Sequence, residues 1–264
     1  MTKILSIALG FFMCVPGFCQ DTFNSSRTVR VLTYNIYHGA TMKNDFNLES
    51  IARVIRSVSP DLVALQEVDF KTNRAKKMDL VTELGKLTGM APLFGKAMSY
   101  DDGEYGEGIL SNYSFTQTKN YSLSCSPGHE PRAALSVTIS LPGSEIIQFV
   151  GTHLDHTRDQ TDRVSQAKQI NEIFSQQTIP TILAGDLNAQ PGSDPINILT
   201  EFWTDGTAKN PQPTFPSSDP KKKIDYIMFF PENRWQVLET KVIVDKVASD
   251  HCGLLMVLRL LPEK

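Results

Sequence analysis

The chain is predicted to be an α/β protein built on mixed β-sheet, and three observations predict it. Apolar strand-like runs alternate with amphipathic helical stretches, as crossover-linked strands do. Other strand-like runs follow one another with only a turn between them, as directly paired neighbours do. The runs are also numerous for one open sheet, so a sheet stacked on a sheet is expected. At 264 residues, one sizeable core and one large domain suffice.

The elements read in order as follows. "RTVRVLTYNIY" alternates and then turns apolar, a strand ending near Asn35. "NLESIARVIRSV" spaces Leu48, Ile51, Ile55 and Val58 three and four apart, an amphipathic helix closed by Pro60. "DLVALQEV" is a short buried strand, and "MDLVTELGKLTG" a second helix ended by glycine. Strands are expected at "APLFGKAM", "GEGILS", "RAALSVTISL" and "IIQFVGTHL". A polar helix over about 160–176 precedes the buried strand of "TIPTILAGDLNAQP", and "PINILTEF" is a short helix. "KIDYIMFF", "WQVLETKVIV" and "GLLMVLRLL" complete the strands. No internal repeat or long linker divides the chain.

The N-terminus is a separate matter. "MTKILSIALGFFMCVPGFCQD" has one lysine, an apolar run from Ile4 to Val15, a Pro-Gly break and small residues before Gln20. It reads as a secretory signal peptide over residues 1–19, leaving one domain over 20–264. The run is too short to span a bilayer, so no transmembrane anchor is expected. Bulky Met13 and Phe18 before Cys14 and Cys19 disfavour lipidation there. The product is expected to be exported to the periplasm or the medium, as a monomer. Cys125 and Cys252 would remain, and an export compartment permits them to pair. Apolar and charged contents of 41% and 21% are ordinary for a soluble domain. The net charge of −3 argues against tight, non-specific duplex binding, though not against brief metal-bridged contact with a nucleic acid.

Function is suggested by where polar residues fall. Apolar strands end in Asn35, Glu67, His153, then Asp186 with Asn188, while Asp250 and His251 stand just before the last strand and Asp225 lies within one. Ligands bind beyond strand ends in α/β sheets. A carboxylate beside a buried strand is costly without compensation, so this many point to one shared site. Asn35, Glu67, Asp186, Asn188 and Asp250 offer hard oxygens, which suit Mg²⁺ or Mn²⁺ and not zinc. His153 and His251 add proton transfer or charge stabilisation. With no nucleophilic serine or cysteine motif, the set indicates attack by water on a phosphate ester.

The stretches "LTYNI", "PDLVALQEV", "YGEGILS", "EPRAALSV", "THLDH", "AGDLNAQP", "KKIDYIMF" and "SDHCGL" together resemble the endonuclease/exonuclease/phosphatase superfamily, which includes deoxyribonuclease I. The resemblance implies a four-layer α/β sandwich, two stacked mixed sheets flanked by helices. It implies Glu67 as the main Mg²⁺ ligand, helped by Asn35 and Asp250. Asp186 would orient or deprotonate water, Asn188 would position the phosphate, and His153 would hold a phosphate oxygen. His251, oriented by Asp225, would stabilise the transition state or act as base. Arg132 is a candidate phosphate grip, because a guanidinium can take two oxygens.

The expected activity is a Mg²⁺-dependent phosphoesterase, acting on a phosphodiester in nucleic acid or a phospholipid headgroup. "THL" resembles the sphingomyelinase, deadenylase and small bacterial hydrolase branches. Deoxyribonuclease I also has a histidine there, so DNA stays open, as does a sphingomyelinase-like or phosphoinositide-type activity. A binding protein that lost turnover is a further alternative, weakened because metal, water and phosphate residues are all present. Blander readings attach to other residues. Asp155 and His156 read as solvated loop residues, Lys221 to Lys223 as a solvated edge, and Trp203 and Trp235 as packing residues. "DDGEYGEG" lacks the full spacing of a calcium loop, with Glu104 or Glu107 candidates to border the site.

Overall fold

The computed structural model describes residues 27–263, so the leader and the domain start expected at residue 20 lie outside the described residues. Two mixed six-stranded sheets stack face to face, with four helices outside them. The first sheet contains β1 (Thr28–Asn35), β2 (Leu62–Phe70), β3 (Ala91–Tyr100), β4 (Gly103–Ser111), β11 (Trp235–Ile243) and β12 (Gly253–Leu260), in the order β11-β12-β1-β2-β4-β3. The second contains β5 (Phe115–Leu123), β6 (Arg132–Ser140), β7 (Ile146–His153), β8 (Thr181–Asp186), β9 (Thr204–Asp205) and β10 (Asp225–Phe230), in the order β5-β6-β7-β8-β10-β9.

The sheets share one plan. In each, a central parallel pair, β1 with β2 and β7 with β8, is flanked by antiparallel neighbours. A helix follows the first strand of each pair: α1 (Leu48–Val58) after β1 and α3 (Thr161–Phe174) after β7. The C-terminal ends of both pairs therefore lie at the same edge of the sandwich. The antiparallel geometry brings the starts of β10 and β12 to that edge too.

Residue chemistry explains the layers. In β12, Leu254, Met256 and Leu258 face the other sheet, while Leu255 faces the helices; burial on both faces makes the run nearly continuous. Val31, Ala64, Val137, Phe149, Ile182 and Ile227 share the inter-sheet core. Each of these except the small Ala64 contributes about 1.5–3 kcal/mol on full burial. Helix α1 starts where the Asn47 side chain accepts from the Ser50 amide at 3.1 Å. It ends at left-handed Ser59, one residue before the Pro60 expected to close it. In α2 (Leu80–Thr88), Asp79 caps the first turn and Gly89, at φ +74°, the last. Helix α4 (Asp194–Thr200) packs with α3 over the second sheet, where Trp203 and Phe174 are buried.

Three expectations change. Strand β5 has no counterpart in the sequence reading, because its central residues are exposed at a sheet edge and polar. The strand "DLVALQEV" does not stop at Val68 but runs to Phe70. The polar helix is shorter than 160–176, spanning Thr161–Phe174.

Candidate active site

The C-terminal ends of the parallel pairs deliver three of the expected residues. Asn35 ends β1, and His153 and Asp186 end β7 and β8, where they are register partners. Glu67 arrives by another route. The β2–β4 register passes from Leu65↔Gly108 to Val68↔Gly106, a bulge in which Gln66 and Glu67 both stand opposite Glu107. Glu67 takes φ +58° there, and a bulge of this kind re-aims a side chain. Asp225 is the first residue of β10, rather than interior to a strand, and is the register partner of Asp186. Asn188 follows β8 at φ +47°.

These side chains converge. Asn35 Nδ2 donates to Glu67 Oε1 at 3.0 Å and to Asp186 Oδ2 at 3.2 Å, while its oxygen accepts from the Tyr37 amide at 3.1 Å. Asn35, expected as a metal ligand, thus turns its donor end toward both carboxylates and holds them together. Asp186 Oδ1 accepts from the Asn188 amide at 2.9 Å. His153 Nε2 lies 2.9 Å from Asn188 Nδ2 and 3.5 Å from Asp186 Oδ2. Arg132 is buried, with Nη1 3.2 Å from His153 Nδ1 and Nη2 3.0 Å from His156 Nδ1. His251 Nδ1 is 3.1 Å from Asp225 Oδ2, and its Nε2 is 3.6 Å from Asp186 Oδ2. Asp250 lines the same cavity of about 650 Å³, together with Glu67, Arg132, His153, Asp186, Asn188 and His251.

Electrostatics separates the roles. Burial opposes charge on Glu67, but His38, His153 and Asn35 outweigh it and hold the carboxyl down at about 2. Burial raises Asp186 to about 7, against the pull of His251 and with Asp225 adding to the rise. Burial likewise opposes charge on His251, yet Asp225 and Asp186 lift it to about 10. His153 goes the other way: burial and then Arg132 push it well below the usual imidazole value, so it is neutral. One histidine is a cation and the other is not, and Asp186 sits between them.

Other residues at the cavity escaped the sequence reading. His38, in the turn after β1, lines it and places Nδ1 3.5 Å from Glu67 Oε2. Tyr37, His38 and Gly39 have φ of 48°, 46° and 83°, three positive values in succession. Strain of this kind persists where the surroundings enforce it, often at functional sites. The signal in the sequence is only a histidine close behind a strand end, followed by glycine. Asp155 is fully buried rather than solvated, its Oδ2 accepting from Thr157. Lys223 is buried against Asp205 at 3.0 Å, so the lysine run is not wholly a solvated edge; Lys222 lines the cavity. Glu104 pairs with Lys96 at 2.9 Å on the outside, whereas Glu107 is buried beneath the site. Cys125 and Cys252 are both free.

A model of the Endonuclease/Exonuclease/phosphatase family matches residues 32–251, a span that contains every residue of this cluster. The chain belongs to the endonuclease/exonuclease/phosphatase family. It is therefore an enzyme of the phosphate-ester hydrolase type. The uncharacterized protein YbhP of Escherichia coli K12 is 28% identical over 214 residues, covering 75% of this chain and 83% of YbhP. Two solved structures share the family fold. The mannosyl-6-phosphatase Bt3783 of Bacteroides thetaiotaomicron superposes with a TM-score of 0.67 at 18% identity, over 89% of this chain and 100% of that one. The human Nocturnin catalytic domain gives 0.71 at 18% identity, over 89% and 94%.

Members of the family depend on a divalent metal, and the residues present fit one. Glu67, Asp186, Asp225 and Asp250 crowd one end of the sandwich, and Asp225 Oδ1 is buried without a hydrogen-bond partner. Ligand atoms of Asp186, Asp225 and His251 lie within 4.8 Å of one another. Converging carboxylates of this kind repel, and a hard cation relieves them. Among the described residues no helix is long and apolar enough to cross a membrane.

Proposed function

We propose that this enzyme is a Mg²⁺-dependent phosphodiesterase that works after export through its leader. The observation that carries the reading is the division of the site around Asp186: a neutral imidazole on one side, a cationic one on the other, and ionised Glu67 joined to it through Asn35. Glu67 and Asp250 would hold Mg²⁺, with Asn35 fixing Glu67. The metal would supply charge to the phosphoryl oxygens and lower the cost of attack by water.

The chain's own groups do the rest. Asp186, raised to about 7, takes a proton from the attacking water near neutral pH. Neutral His153, whose Nδ1 accepts from Arg132, presents its Nε2–H beside Asn188 to a non-bridging oxygen. Arg132 adds a guanidinium, whose fork suits two phosphate oxygens. His251, protonated and held by Asp225, places positive charge where the transition state gathers negative charge.

Plasmid nicking by residues 20–264 in Mg²⁺, with EDTA and His251→Ala as controls, tests the substrate. Nicking abolished by both places the enzyme with nucleases. Folded protein that binds Mg²⁺ without nicking moves the substrate to lipid or small phosphodiesters, and sphingomyelin and phosphoinositide panels follow.

A further inference from the structure

Glu107 stands in the middle of β4, wholly buried, and neither of its carboxyl oxygens has a hydrogen-bond partner. An apolar side chain would occupy that position without the cost of desolvating a carboxyl. A second orphan belongs to the other sheet: Nε of Arg132, at the start of β6, is also buried without a partner. Strands β4 and β6 pack against each other across the sandwich. Arg132 is the cation whose charge acts on Glu107, while Asp186 and Glu67 act against its ionisation. One group lacks a donor and the other lacks an acceptor. Glu107 stands opposite the bulge that carries Glu67.

We propose that Glu107 is a positioning residue for Arg132, resting on the reading that Arg132 grips the substrate phosphate. The two groups are not in direct contact, so a carboxyl oxygen of Glu107 accepts from Nε–H through one bridging water. That bridge fixes the guanidinium plane while Nη1 faces His153 and Nη2 faces His156 and Glu130 at the cavity. Accepting needs only a carbonyl-type oxygen, so a protonated Glu107 serves. It then adds no further negative charge beside Glu67 and Asp186. Glutamine can replace it in this role, and leucine cannot.

The test uses inorganic phosphate titrated calorimetrically into the whole chain in Mg²⁺, alongside phosphodiester hydrolysis. Glu107→Leu should weaken phosphate binding roughly tenfold, the loss of one hydrogen bond to a charged group. Glu107→Gln should bind within about threefold of the parent. In an Arg132→Ala background, Glu107→Leu should add less than about twofold, since its partner is gone. A melting curve of Glu107→Leu shows that the variant is folded at the assay temperature, so that lost affinity is not lost fold. If leucine does not fold, Glu107→Met is the second apolar variant. Parent-like phosphate affinity in the apolar variant would overturn the proposal. So would equal losses for Gln and Leu, or losses that multiply in the Arg132→Ala background. Intact hydrolysis by the parent with unchanged phosphate affinity in the variant overturns only this inference. A parent that neither hydrolyses nor binds phosphate removes the reading beneath it.

Discussion

Asp186 and Asp225 stand directly opposite each other on the antiparallel strands β8 and β10, and the His251 imidazole reaches both, 3.6 Å from one and 3.1 Å from the other. Two buried carboxylates at register partners would repel. A shared imidazolium makes the pairing tolerable, which is why His251 keeps its proton so firmly. Asp225→Asn keeps the shape and removes that anchor. We expect kcat to fall by about 10²-fold, the scale of losing one positioned acid–base group. The Mg²⁺ concentration for half-activation should change little. Steady-state kinetics across a Mg²⁺ series separates the two effects.

His38 acts on a different residue. Its Nδ1 lies 3.5 Å from the second oxygen of Glu67 and helps keep that carboxyl ionised, so its loss should loosen metal binding more than chemistry. Asparagine tolerates the left-handed backbone at this position, so His38→Asn avoids added strain. The Mg²⁺ concentration for half-activation should rise roughly tenfold, as for other groups that orient a metal ligand. An unchanged activation curve would count against the role.

Stability in EDTA should depend on pH in a stated direction. His251 holds its proton to about 10 in the folded chain, against an ordinary value of 6.5. The folded state therefore binds more protons through that window. Its contribution is complete below about 6.5 and is lost as the pH climbs toward 10. Asp186, raised from 3.8 to about 7, acts in the same direction at lower pH. Urea midpoints measured from pH 6.5 to 8 should fall, below the range where buried Lys223, lowered to about 8, acts in the opposite direction, and His251→Gln should flatten the slope.

Gly185 lets the two strands that carry the site meet closely. A Cβ there would lie 2.0 Å from the Thr152 carbonyl on β7. Gly185→Ala must push β7 and β8 apart just where His153 and Asp186 are held in register. A loss of about 2 kcal/mol is expected in denaturant unfolding, within the range for overpacking. Hydrolysis should fall even at temperatures where the variant is folded.

Much of this was legible in order of residues. The strands that the sequence marks clearly are those buried on two faces, such as β8 and β12, where apolar runs leave little ambiguity. Their polar ends stand out for the same reason. Strand β5 hides because an edge strand needs no apolar face: residues 116–120 are exposed, and pairing with β6 makes them a strand. The bulge at Glu67 hides because a left-handed glutamate leaves no mark in sequence; only the register with β4 reveals it. His38 hides altogether, whereas Glu107 is legible as a candidate to border the site but not as a buried carboxyl beneath it. One lies in a turn that looks like any loop, and the other sits between two glycines in a run that reads as an ordinary strand.

The most direct test is release of p-nitrophenol from bis(p-nitrophenyl) phosphate by residues 20–264, in Mg²⁺ and in EDTA, beside Asp186→Ala. The account predicts turnover in Mg²⁺, none in EDTA, and a loss of at least about 10²-fold in the variant. Turnover that persists in EDTA, or a fully active Asp186→Ala enzyme, would contradict it.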